Sequence, residues 1–170
     1  MQSLANEGMT FPRAYVASPA CAPSRHALIS GLMPYRNGVV GNHENSNYKL
    51  DASESLIQQL IDAGYDVVFR GKVAHGNGKG VVPTGVVRLP GSNNLLDPEN
   101  VEAYLVNRKD KTKPVALFIG PTDTHTIWPS EPGDVHFKLE DTVLPPKTFD
   151  IPEAHQLMAR YNQSVENVDT

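Results

Sequence analysis

Apolar residues recur along this chain with the period of a helix in some stretches and as short continuous runs in others. Between Asp51 and Gly64, Leu56, Ile57, Leu60 and Ile61 fall on one helical face. Asp51 stands as N-cap with Glu54 three residues on, and Gly64 marks the stop. The run Tyr65-Asp66-Val67-Val68-Phe69 that follows is β-branched and aromatic, which predicts a strand. A second helix-to-strand step comes later. Asp97 as N-cap and Pro98 at the first helical position lead into Val101, Tyr104 and Leu105 at helical spacing. After the polar stretch Arg108 to Lys113, the uniformly apolar run Val115 to Gly120 has the character of a central parallel strand buried on both faces.

Three further helices complete the pattern. The first ten residues read as the end of a helix carrying Leu4, Ala5 and Met9, broken by Gly8. A short helix over Ala27 to Ser30 has Pro23 near its first turn and stops at Gly31. The last begins near Pro152, with Leu157, Tyr161, Val165 and Val168 on one side. Gly and Pro gather in Gly76 to Gly91 and Trp128 to Pro146, two long loops of the kind that wall an active site. Helix-to-strand steps of this sort predict an α/β fold, a mostly parallel sheet flanked by helices.

Composition narrows the function classes. With 170 residues, 39% hydrophobic and 20% charged, the chain supports one domain with its own core and is too short for two full ones. A net charge of -4 and no local Lys/Arg block argue against nucleic-acid binding. No apolar run approaches the ~18 residues of a membrane span, and the first residues lack the pattern of a signal peptide. Cys21 is the one cysteine, which excludes an internal disulfide and a Cys-rich metal site.

That cysteine stands in Ser18-Pro19-Ala20-Cys21-Ala22-Pro23-Ser24-Arg25, directly before the short helix. This places it at a helix N-terminus, where free backbone N–H groups and the helix dipole stabilise negative charge, with Arg25 adding a cation one turn on. The plain alternative is a lone Cys acting as a small buried hydrophobe. Pro two residues on and Arg four on would coincide by chance about a few times in a thousand.

Here the sequence resembles the sulfatases of the alkaline-phosphatase-like superfamily, whose signature is Cys-x-Pro-Ser-Arg, a small-residue helix and Thr/Ser-Gly. Cys21, Pro23, Ser24, Arg25, Ser30 and Gly31 match it. The resemblance implies that a formylglycine-generating enzyme oxidises Cys21 to formylglycine, whose hydrated aldehyde is the nucleophile. Gly71-Lys72-Val73-Ala74-His75-Gly76 looks like the Gly-Lys-Val-Phe-His segment of iduronate-type sulfatases, so Lys72 would neutralise sulfate oxygens and His75 would bond the formylglycine hydroxyls and relay a proton. Asp123-Thr124-His125-Thr126-Ile127-Trp128 is similar to the family's Pro-His-x-Pro-Trp, with Thr124 and Ile127 in place of the prolines. His125 would bind a sulfate oxygen and protonate the leaving group. His26, His43, His136 and His155 match no family position and read as surface histidines, and Asn42-His43-Glu44-Asn45 could line the substrate cleft, which the sequence does not decide.

The resemblance runs from Leu4 to Asp169 but covers only part of the family's domain. The family holds Ca2+ with an Asp-Asp pair and a later Asp-Asn or Asp-His pair, and neither occurs here. The expectation is therefore an internal segment over residues 1–170, incomplete at both ends. Of the metal ligands it would supply only Cys21, through its formylglycine oxygen, and alone it would be inactive. The implied function is sulfuric ester hydrolysis, with a sulfated sugar or other small sulfated molecule as substrate, outside the cytoplasm. A phosphate or phosphonate ester hydrolase, a non-catalytic segment and a thiol-dependent protein stand as alternatives.

Overall fold

A computed structural model describes residues 1–42, 55–74, 82–91, 98–128 and 135–169. The elements, in order, are α1 (Gln2–Glu7), α2 (Cys21–Ser30), α3 (Pro34–Asn37), α4 (Leu56–Asp62), β1 (Asp66–Gly71), β2 (Val87–Arg88), α5 (Pro98–Asn107), β3 (Val115–Gly120), a 3-10 turn (Leu139–Asp141) and α6 (Pro152–Asp169). Two compact units divide the described residues, one running from residue 2 to residue 120 and the other over residues 121–169. No helix among the described residues is long and apolar enough to cross a membrane.

In the first unit the α/β expectation is met by a parallel sheet of order β2-β1-β3. Six residue pairs hold β1 to β3, from Asp66 against Val115 to Gly71 against Gly120. Alternate residues of a strand point to opposite faces. Val67 and Phe69 accordingly join Ile29 of α2, Ile57 of α4 and Val73 in one buried cluster, while Val68 and Arg70 are buried on the other side. Phe118 meets Phe69 edge to face at 5.3 Å. The same apolar cluster thus anchors α2, the helix that carries the Cys21 motif, and β1, the strand that leads to Lys72.

Four expectations change. The helix before β1 starts at Leu56, because Ser55, whose hydroxyl accepts the Gln58 N–H at 3.1 Å, is its N-cap. Ser55 and Gln58 have capping-box spacing too, closer to the apolar face than Asp51 and Glu54; Asp51 itself lies outside the described residues, as does Asp97. Second, β3 is not central. Only β1 lies beside it among the described residues, Ile119 is 44% exposed, and β1 is the strand covered on both faces. Third, the Gly76 to Gly91 stretch contains β2, paired to β1 through Val87 and Arg88.

The fourth change concerns α6, in the second unit. Its start at Pro152 is as expected, but the buried positions are Ala159, Gln163 and Ser164, whereas Leu157 is 51% exposed. Small Ala and Ser side chains allow close approach, and the Gln163 amide oxygen accepts the His136 N–H at 3.2 Å. Tyr161 packs edge to face on Trp128 at 5.5 Å.

Candidate active site

Helix α2 begins at Cys21 itself, which is half-buried, and ends at Gly31, whose left-handed backbone (φ 69°) turns its N–H back to the Ala27 carbonyl. The start of the helix departs from the expectation of free N–H groups. The Ala22 N–H donates to the Asn42 side-chain oxygen at 2.8 Å, Pro23 has none, and the Ser24 N–H donates to the Ala20 carbonyl at 3.1 Å. Asn42, twenty residues away in sequence, therefore holds the turn that presents Cys21. Nothing in the sequence pattern marks this role, because a side-chain cap from a distant loop has no fixed spacing.

Arg25, one turn after Cys21, reaches the end of β1. Its guanidinium donates to the main-chain oxygen of Lys72 at 2.5 Å and to that of Val73 at 3.3 Å. The Lys72 N–H donates in turn to the Gly120 carbonyl at 2.6 Å. Lys72 follows β1 and Gly120 ends β3, so both lie at the carboxyl edge of the sheet, where parallel α/β folds place their sites. A Cβ on Gly120 would overlap the Lys72 carbonyl, so this crossing requires glycine. The structure thus brings the Cys21 helix, Arg25 and Lys72 together. An open depression of about 810 Å³ lies beside them, lined among others by Tyr15, Ser18, Cys21, Ser24 and Arg25.

His75 lies outside the described residues. His125 belongs to the second unit, where it is exposed in a turn: its N–H donates to the Thr122 carbonyl at 2.8 Å and its Nδ1 to the Thr126 carbonyl at 2.6 Å. The Trp128 indole donates to the Thr124 carbonyl at 3.1 Å.

The family model for Sulfatase matches residues 1–170, the whole chain. The chain belongs to the sulfatase family. It is 32% identical over 126 residues to an ulvan-active sulfatase of Formosa agariphila, covering 70% of this chain and 24% of that protein. It is 38% identical over 82 residues to an N-acetylgalactosamine-6-sulfatase of Mus musculus, covering 42% of this chain and 16% of that protein. With the N-sulphoglucosamine sulphohydrolase of Homo sapiens it shares 28% identity over 142 residues, 78% of this chain and 28% of that protein. The matched stretches therefore span less than a third of these relatives.

Sulfatase membership makes the fit of a calcium ion a direct question. A hard divalent cation takes six to eight oxygens. Among the described residues no group of three or more His, Cys, Asp or Glu could hold a metal. The described residues do not fit a calcium ion, and the reaction proposed for them takes no step through one.

The histidines outside the family positions behave differently from one another. His26 is buried on α2, its Nδ1 donating to the Ala22 carbonyl at 2.7 Å, which corrects its reading as a surface residue. His155 is half-buried between Thr142 and Asp150, at 2.5 and 2.8 Å. His136 is exposed and pairs with Glu166 at 2.9 Å; His43 lies outside the described residues. Sequence reasoning also passed over Arg70, which is 2% exposed inside β1. The signal was there, a single Arg directly after the apolar run Val67-Val68-Phe69.

Proposed function

We propose that this chain carries the nucleophile and part of the anion-binding wall of a sulfuric ester hydrolase acting on sulfated sugars outside the cytoplasm. Cys21, converted to formylglycine by a formylglycine-generating enzyme, is the nucleophile. One hydroxyl of the hydrated aldehyde attacks sulfur as its proton passes to solvent water, from which His125 is later reprotonated, and the bond from sulfur to the sugar oxygen breaks. The leaving oxygen takes a proton from His125. Removal of the proton from the second hydroxyl by His75 then re-forms the aldehyde C=O and expels sulfate, and water rehydrates the aldehyde. The Lys72 ammonium neutralises sulfate oxygens throughout. Arg25 holds the main chain of Lys72, and so positions that ammonium relative to the helix that bears the nucleophile.

The observation that carries this reading is the bond from Arg25 to the Lys72 carbonyl. It links two sequence segments, each matching a sulfatase motif, at the carboxyl edge of the sheet. Sulfated sugars are favoured because the relatives include proteins named as N-acetylgalactosamine-6-sulfatase and Delta 4,5-hexuronate-2-O-sulfatase. The test is peptide mass spectrometry after co-production with a formylglycine-generating enzyme. An aldehyde in place of the Cys21 thiol is expected, and an unmodified thiol overturns the reading. In the full-length protein, hydrolysis of a phosphate monoester without hydrolysis of a sulfated monosaccharide would replace it with the phosphate ester alternative.

A further inference from the structure

The turn around His125 is closed on itself in a way that decides which ring nitrogen faces outward. A carbonyl oxygen only accepts, so the 2.6 Å contact from Nδ1 to the Thr126 carbonyl requires a proton on Nδ1. In the neutral ring the lone pair is then on Nε2. The peptide on the other side of His125 is held by a different group. An indole N–H has a single donor, and that of Trp128 is committed to the Thr124 carbonyl at 3.1 Å. Trp128 is half-buried, and its ring meets Tyr161 of α6 at 5.5 Å and 68°, an edge-to-face contact of the kind that adds about 0.5–1.5 kcal/mol beyond burial. One aromatic side chain therefore ties the residue before His125 to α6, the longest helix among the described residues.

We propose that Trp128 is a positioning residue for His125: by fixing the Thr124 carbonyl against α6 it keeps the His125 Nδ1 proton on Thr126 and leaves Nε2 as the working nitrogen. What Nε2 does there, giving a leaving oxygen the proton it carries in the imidazolium while Nδ1 keeps its own as the neutral ring forms, rests on the sulfatase reading above; the placement of the Nδ1 proton does not. The arrangement also answers what replaces the two prolines of the family segment. Where Thr124 and Ile127 leave the backbone free to rotate, the indole bond and the Thr126 acceptor restrain it from either side.

The test uses the 170-residue chain labelled with 15N, with long-range correlation spectra of its imidazoles recorded where the histidines are neutral. His125 is expected as a single tautomer with Nδ1 protonated. Trp128→Phe keeps a ring against Tyr161 and removes the donor, and is expected to lose the single-tautomer signature. Tyr161→Leu, which keeps the indole N–H, should shift the His125 signals less and in the same direction. A proton on Nε2 in the parent chain, or parent-like His125 signals in Trp128→Phe, overturns the proposal. Should Trp128→Phe not fold, the parent still decides. This chain has one Trp, so its indole proton is assigned without ambiguity; slow solvent exchange supports the bond, and exchange at the rate of free indole overturns it. A single Nδ1–H tautomer in a chain whose Cys21 is never converted would sustain this inference while the sulfatase reading fell.

Discussion

Arg25 donates to the main-chain oxygen of Lys72, and the N–H of the same residue donates to Gly120, so helix α2 and the ends of β1 and β3 meet at one residue. One guanidinium nitrogen, Nη1, donates to two successive carbonyls, those of Lys72 and Val73. A lysine side chain is shorter, and its ammonium lacks the planar guanidinium whose Nη1 lies within reach of both oxygens. Arg25→Lys is expected to cost about 1.5–3 kcal/mol, the range for hydrogen bonds to charged groups, read as a lowered urea midpoint. An unchanged midpoint would mean that solvent already satisfies those carbonyls.

Gly120→Ala tests the other side of the same crossing. The added methyl carbon would overlap the Lys72 carbonyl oxygen, and backbone is the part of a protein least able to give way. A loss of about 1–3 kcal/mol is expected, as for overpacked cores, together with displaced amide signals at Lys72. A variant as stable as the parent, with the Lys72 amide unmoved, would show that the two strand ends are further apart than described.

Helix α4 offers a paired comparison. Ser55→Ala removes the cap acceptor for the Gln58 N–H and is expected to cost about 1 kcal/mol. Ile57→Ala, at a site with no exposure in the central cluster, is expected to cost about 2–5 kcal/mol. Chemical denaturation ranks the two. A larger loss at Ser55 than at Ile57 would contradict the burial of α4 against β1.

Tyr104 of α5 predicts an alkaline response. Desolvation pushes its hydroxyl above the usual 10.0, the Asp66 carboxylate pushes the same way, and Arg108 partly offsets them. The folded state therefore favours the neutral phenol. Its contribution to stability is complete below pH 10.0 and is lost as pH rises through the folded value. Thermal melting should fall more steeply with alkaline pH in the parent than in Tyr104→Phe, and parallel curves would refute the linkage.

How much of this was legible beforehand differs by kind of feature. The Gly31 stop, the strand through Val67 to Phe69 and the helix from Pro152 all follow from residues that act locally, through backbone conformation or a fixed period, although the strand starts one residue later and ends two later than the run Tyr65 to Phe69. The choice between Asp51 and Ser55 was not legible, because two capping boxes stand four residues apart and only packing of Ile57 selects between them. The apolar run of β3 gives its propensity for the sheet but not its place in it, since place depends on which neighbours are present. At the candidate site, the motifs single out Cys21, Arg25 and Lys72, but they do not show that the Arg25 guanidinium bonds the backbone after β1. Asn42 acts across twenty residues and leaves no periodic trace.

The position of β3 makes protein concentration a variable in any study of this chain. Among the described residues its outer edge faces no other strand, and Val115 to Ile119 is apolar throughout, without the lysine, proline or bulge that ordinarily blunts such an edge. A second copy can extend the sheet by aligning its own strand there, adding backbone hydrogen bonds without any change of fold. Light scattering should therefore rise with concentration, and Leu117→Lys should suppress that rise, whereas a chain that stays monodisperse when concentrated would show the edge to be covered.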